Sequence, residues 1–176
     1  MSNWGYFGPR TPHPRMHEEL WNKTSGSIGV DIETVSLDDR TPLCIAIATS
    51  GEDAFYYPID SEFLPWHILK NPDVAKIFHN GHFDLGVLRD YKGVMVENVK
   101  DTIIAAQLLG APPALATLSL KLFNAKWKSI ADLLGPKGKD QKTMIDVPEE
   151  EVAIKCCNDA RYTLKVWEKF GATVPM

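Results

Sequence analysis

Four acidic residues define the chemistry open to this chain. Asp31 and Glu33 stand two positions apart at the end of the apolar run Ile28-Gly29-Val30-Asp31-Ile32-Glu33. On a β-strand, residues i and i+2 project from the same face. Two carboxylates placed together repel unless a cation neutralises them or water solvates them. Hard divalent ions such as Mg2+ and Mn2+ take oxygen ligands of this kind. The plain alternative is a pair of solvated strand-end charges. Asp84 follows in the segment His79-Asn80-Gly81-His82-Phe83-Asp84, at the start of a helical pattern. The helix dipole favours an anion there without any further role. Asp159 lies among Ile154, Cys157, Ala160, Leu164 and Trp167, apolar positions at helical spacing. An acid so placed needs a partner, whether a salt bridge, a cap or a metal. Asp101, ahead of Thr102-Ile103-Ile104, has the position of a helix N-cap.

The elements that would position these acids follow from hydrophobic periodicity. Residues 28–33 read as a strand, 43–49 as its antiparallel neighbour across the turn 38–42, and 54–58 as a third strand. A helix is expected over 61–70 with Ser61 as cap, then a buried strand over 74–78 and a helix over 83–91. The apolar residues 94–96 read as a last strand. Helices follow over 102–109, 117–123 and 130–134, then a lysine-rich loop over 137–142. A long helix spans 148–170, with Pro148 suited to its first turn. Three consecutive strands before mixed helices and strands indicate an α/β fold, a mixed sheet with three antiparallel strands first, flanked by helices. Residues 1–26 carry Pro9, Pro12 and Pro14 and little periodicity. They read as an N-terminal arm, with Trp4, Tyr6, Phe7 and Trp21 available for packing, ahead of one domain over 27–176.

The chain has 176 residues, 44% hydrophobic and 24% charged. That suits one globular domain and leaves no room for a polymerase or helicase. No apolar run approaches membrane-spanning length. The net charge is −4, the reverse of a typical nucleic-acid binder. Locally the sign changes: residues 121–142 hold six lysines, Lys137, Lys139 and Lys142 among them, against two aspartates. With Trp127 inside it, this stretch suits tracking a single-strand backbone with base stacking, or is simply a solvated surface. Cys44, Cys156 and Cys157 lack ligand spacing, and the adjacent pair is poorly placed for a mutual disulfide. The expectation is buried thiols in a reducing, cytoplasmic setting, nucleoid-associated in a bacterium or phage.

Taken in order, the acids form a pattern. Val30-Asp31-Ile32-Glu33-Thr34 with Ser36-Leu37 is followed by HNGHFDLGVL from His79, then DTIIAAQLL from Asp101. Leu118-Ser119-Leu120, Gly138-Lys139-Asp140-Gln141 and Asn158-Asp159-Ala160-Arg161-Tyr162 complete the set. This order and spacing resemble the DEDD superfamily of 3′→5′ exonucleases, and within it the proofreading domain of family A, bacterial polymerase-I-type, DNA polymerases. The resemblance implies an RNase-H-like fold. It implies that Asp31, Glu33, Asp84 and Asp159 hold two divalent ions, Mg2+ or Mn2+, and that the enzyme frees 5′-mononucleotides from single-stranded DNA 3′ ends. By the same resemblance Leu37 wedges against the terminal bases, or is a buried loop leucine. Thr34 offers its backbone N–H near the 3′-OH, and Asn80 and Phe83 line the nucleotide site, though Asn80 equally suits a loop turn and Phe83 the core. The lysines at 137, 139 and 142 border the cleft, while His79 and His82 read as polar rim residues. A polymerase partner would be a separate chain.

One position departs from the pattern. The family's last motif is Tyr-x-x-x-Asp, its tyrosine orienting the attacking water, and Lys155 stands where that tyrosine would be. A second subfamily uses a histidine five residues before the Asp, and Ile154 stands there. Lys155 therefore either contacts the scissile phosphate or hydroxide, or marks water organised by metal alone, or marks a site that only binds. The competing functions are an RNase D-like ribonuclease and a catalytically quiet nucleic-acid-binding module.

Overall fold

The computed structural model describes residues 5–7, 26–138, 141–171 and 173. Its sheet has six strands: β1 (Gly5–Phe7), β2 (Gly26–Thr34), β3 (Pro42–Ala48), β4 (Ala54–Pro58), β5 (Val74–Phe78) and β6 (Val99–Asp101), in the spatial order β1-β4-β3-β2-β5-β6. β2, β3 and β4 pair antiparallel, as their spacing predicts, and β5 and β6 join parallel to β2. Part of the expected arm adds β1 to the free edge of β4, where Tyr6 donates to Asp53 at 2.5 Å and its ring meets Phe55 at 5.5 Å. Trp4, Trp21 and Lys139 lie outside the described residues.

Strand alternation divides the core. Ile28, Val30 and Ile32 join Ile45, Ile47, Phe55 and Tyr57 on one face. Helices α1 (Trp66–Lys70) and α2 (Gly81–Lys92) cover that face through Ile68, Leu69, Val87 and Leu88. The other face carries small residues, Cys44, Ala46, Ala48 and Ala54, and packs against α6 (Glu149–Phe170) through Cys156, Cys157, Ala160 and Leu164. Small residues let the long helix come close. A Cβ on Gly29 would lie 2.1 Å from the Ala160 carbonyl oxygen. Asp31 and Glu33 share the parity of Gly29, so they point toward α6. The chain between is completed by α3 (Thr102–Leu108), α4 (Leu115–Phe123), α5 (Ile130–Leu134) and a 3-10 turn at Met144–Asp146.

Two expectations are corrected. The helix expected from Ser61 begins at Trp66, after Pro65; Ser61 instead closes a turn, its Oγ accepting from the Phe63 N–H. Residues 94–96 form no strand. Gly93 ends α2 in the left-handed region, and the Val94 N–H returns to the Leu88 carbonyl at 3.3 Å. The buried Val94 thus seals a helix C-terminus, a role that also selects apolar residues. Among the described residues no helix is long and apolar enough to cross a membrane.

Candidate active site

Three elements converge on the α6 face of β2. β5 pairs with β2 only over Gly26–Gly29, so the last residues of β2 run past it. α2 begins beside this free end, where the backbone N–H groups of Ile32 and of Asp84 itself act on the Asp84 carboxylate. From the opposite side α6 supplies Lys155 and Asp159, one turn apart. Lys155 Nζ donates to Glu33 Oε1 at 2.5 Å and to Asp159 Oδ2 at 2.6 Å. Asp159 Oδ1 accepts the indole N–H of Trp127 at 2.7 Å. Both Asp159 oxygens therefore have protein partners. Asp31 Oδ2 is shielded from solvent and has no hydrogen-bond partner among the described residues.

The electrostatics follow from crowding acids away from water. Burial pushes the Asp31 carboxyl well above the usual range, and Asp159 and Glu33 add to the shift against the pull of Lys155. Burial also raises Glu33, although Lys155 opposes it. Asp84 is pushed up to about 8, by burial first, with Glu33 and Asp101 adding to it and the two backbone N–H groups resisting. Burial works against the Lys155 charge, yet Asp159, Glu33 and Asp31 together hold its ammonium well above the ordinary range.

Asp101 fixes where α2 begins. It caps α3 by accepting the Ile103 N–H at 2.9 Å, as its position predicts. The same carboxylate also accepts the N–H groups of Asn80 at 3.0 Å and Gly81 at 2.8 Å. Asn80 occupies the left-handed region at φ 65°, which asparagine tolerates better than most residues. His79 is a tether rather than a rim residue, its Nδ1 lying 2.8 Å from Thr102 Oγ1, which in turn donates to the Phe78 carbonyl.

The remaining sequence candidates fall around this cluster. Leu37 is 75% exposed at the β2–β3 turn, so the buried-loop alternative does not hold. Thr34 is buried beside a register shift in the β2–β3 ladder, its hydroxyl donating to the Ser36 carbonyl at 2.9 Å. Asn80 is exposed and Phe83 half-buried. Lys137 and Lys142 are exposed. Trp127 is not a free stacking platform: its ring already stacks on Tyr162, 4.7 Å between centroids at 16°. Lys128 is paired with Glu151 at 2.8 Å. Beside Lys155 opens a groove of about 470 Å³ lined by Trp127, Lys128, Glu150, Glu151 and Ile154. Sequence reasoning missed Trp127 as a partner of Asp159, because the indole N–H reaches across 32 positions. It also passed over Arg40, whose guanidinium covers the Phe83 ring at 4.9 Å.

The donor set fits a hard divalent ion. Asp31, Glu33 and Cys156 each place a possible ligand atom within 4.8 Å of the others. Burial pushes the Cys156 thiol well up, so it stays protonated, and Sγ faces the Asp31 carbonyl at 3.5 Å. The carboxylates are the donors that could hold an ion, with the unpartnered Asp31 Oδ2 among them.

Known proteins resemble this chain in sequence and in fold. A family-wide sequence model described as 3'-5' exonuclease matches residues 14–175. DNA polymerase I of Chloroflexus aurantiacus is 38% identical over 103 residues, 56% of this chain but only 11% of that protein. The chain thus spans a small part of that relative. Among solved structures, Brucella melitensis NrnC has a TM-score of 0.66 at 23% identity, covering 88% of this chain and 79% of that one, and NrnC has also been solved with bound Mg2+ and bound to pGG. Escherichia coli RNase D has a TM-score of 0.68 at 18% identity, covering 89% of this chain and 41% of that one. These structural likenesses carry the RNase-H-like fold. With a profile match running almost the whole length of the chain over a sheet that gathers its four acids, the protein belongs to the 3′→5′ exonuclease family.

Proposed function

We propose that this chain hydrolyses single-stranded DNA from its 3′ end to 5′-mononucleotides, with two divalent ions, Mg2+ or Mn2+, held by Asp31, Glu33, Asp84 and Asp159. The observation that carries this reading is the convergence of the four acids with Asp31 Oδ2 buried and unpartnered. Bound there, such ions lower the pKa of an attacking water and stabilise the leaving 3′-oxygen. The chain's own residues do the rest. Exposed Leu37 meets the terminal base, Thr34 presents its backbone N–H to the 3′-OH, and Asn80 and Phe83 line the nucleotide. Lys137, Lys139 and Lys142 attract the backbone on the way in. Lys155 holds Glu33 and Asp159 in place and supplies the charged N–H donor nearest the reacting phosphate, where relatives use a phenol. In replication or repair the chain would act together with a DNA polymerase.

A second reading has its own support. The structural neighbours include RNase D and an NrnC solved with pGG, so a ribonuclease of the same chemistry is the alternative. Matched 5′-labelled deoxy and ribo oligonucleotides, digested with Mg2+ or Mn2+, separate the two. Stepwise shortening from the 3′ end, faster on DNA, is expected. Faster loss of the ribo strand would replace DNA with RNA as substrate. Binding of either strand without shortening would leave the nuclease reading wrong and a binding module in its place.

A further inference from the structure

Arg40 is held in a way that its position in a turn does not require. One Nη donates to the Phe83 carbonyl at 3.0 Å, and the guanidinium lies over the Phe83 ring. It rests against Gly86: a Cβ there would lie 2.5 Å from Nη2. Three features of α2 therefore shape a seat for one exposed arginine, held by a backbone carbonyl and a ring. A guanidinium fixed at one edge keeps its other N–H groups aimed outward as a fork suited to phosphate. Beside it lies a surface groove of about 250 Å³. It is lined by the cationic Arg40 and Arg89, by His82, and by the apolar Leu85, Met95 and Val96. Arg89 pairs with its neighbour Asp90 at 3.0 Å, an exposed pair that contributes little and can open. Met95 is 66% exposed, a flexible apolar surface that moulds to a flat ring.

The groove is separate from the acid cluster. His82, Leu85, Gly86 and Arg89 form one stripe of α2, and Asp84 projects from the opposite side of the helix. Arg40 also sits three residues after Leu37 in the same turn. We infer that this groove is a second nucleotide subsite: Arg40 binds the phosphate of a nucleotide upstream of the 3′ end, and the apolar lining takes its base. This rests on the exonuclease reading and adds to it a residue that sets how many nucleotides the protein grips. The phosphate is either an internal phosphodiester of a long strand or the 5′-terminal phosphate of a short one.

The test is a binding measurement in Ca2+ with single-stranded oligonucleotides blocked by a 3′-terminal phosphorothioate. One neutral methylphosphonate is walked through the linkages upstream of the 3′ end. Wild type is expected to lose about tenfold in affinity at one upstream linkage. Arg40→Ala should start about tenfold weaker, lose nothing further at that linkage, and show a log–log salt slope shallower by about 0.7. Gly86→Ala should reproduce the defect while melting no lower than wild type, since alanine is the better helix former. A seat that only staples the turn to α2 would instead lower the melting temperature and leave the methylphosphonate pattern intact. A parallel arm compares dinucleotides with and without a 5′-phosphate; discrimination lost in Arg40→Ala there identifies the terminal phosphate as the ligand. If neither arm distinguishes Arg40→Ala from wild type, the subsite is refuted, and continued digestion leaves the exonuclease reading standing. If wild type binds no oligonucleotide, both fall.

Discussion

At Lys155 the acid cluster contains its own cation. The ammonium bridges Glu33 and Asp159 from a side chain only 11% exposed. Removing one partner of a buried ion pair leaves the other charge uncompensated, at a cost of about 3–5 kcal/mol. Lys155→Met should therefore lower the melting temperature of the metal-free protein, and added Mn2+ should recover more stability in the variant than in wild type. Equal Mn2+ gains in calorimetry would contradict this. A second prediction comes from Asp84, whose folded pKa of about 8 stands above its ordinary value of 3.8. Its protonated form favours the fold, so this contribution is complete below the ordinary carboxylate range and is lost as pH rises through about 8. Metal-free protein should melt higher at pH 6 than at pH 8.5, and Mg2+ should raise the melting temperature more at pH 8.5. A flat profile in EDTA would count against it. The acids themselves were legible from order and spacing. Trp127 as a partner of Asp159 was not, because a hydrogen bond across 32 positions leaves no periodic mark.

The site exists only because α6 lies close against β2. Gly29 permits that approach, with the Ala160 carbonyl where a Cβ would be. Gly29→Ala sets a side chain against a backbone atom, so the helix must move. A loss of about 1–3 kcal/mol is expected from overpacking, with activity falling further than stability because Asp159 shifts relative to Asp31. Denaturant melts alongside initial rates test this, and unchanged rates in a destabilised variant would separate the helix position from the chemistry. Strands β3, β4 and β5 were readable because alternation and turn residues agree there. The two misread segments share one cause: apolar residues of a turn and of a helix C-cap satisfy the same short-range pattern as a helix or strand. Asp101 was readable as a cap of α3, but its grip on Asn80 and Gly81 depends on β6 lying beside β5.

For the molecule as a whole, the net charge of −4 conceals two opposed regions. Carboxylates gather under β2 and α6, and lysines lie in the loop after α5. Replacing Lys137, Lys139 and Lys142 together should weaken oligonucleotide binding and flatten its salt dependence, by a log–log slope of about 0.7 for each phosphate no longer neutralised. An unchanged slope would reduce the loop to a solvated surface. The mixed sheet and the gathering of the acids were legible across the chain. The docking of β1 on β4 was not, since three residues carry too little pattern to announce a strand. The most direct test of the central claim is mononucleotide release from single-stranded DNA labelled at its 3′ end, with Mg2+ or Mn2+, by wild type and by Asp31→Ala/Glu33→Ala. Rapid release by wild type, abolished by EDTA and by the double substitution, is the expected result; equal release by both proteins would contradict it.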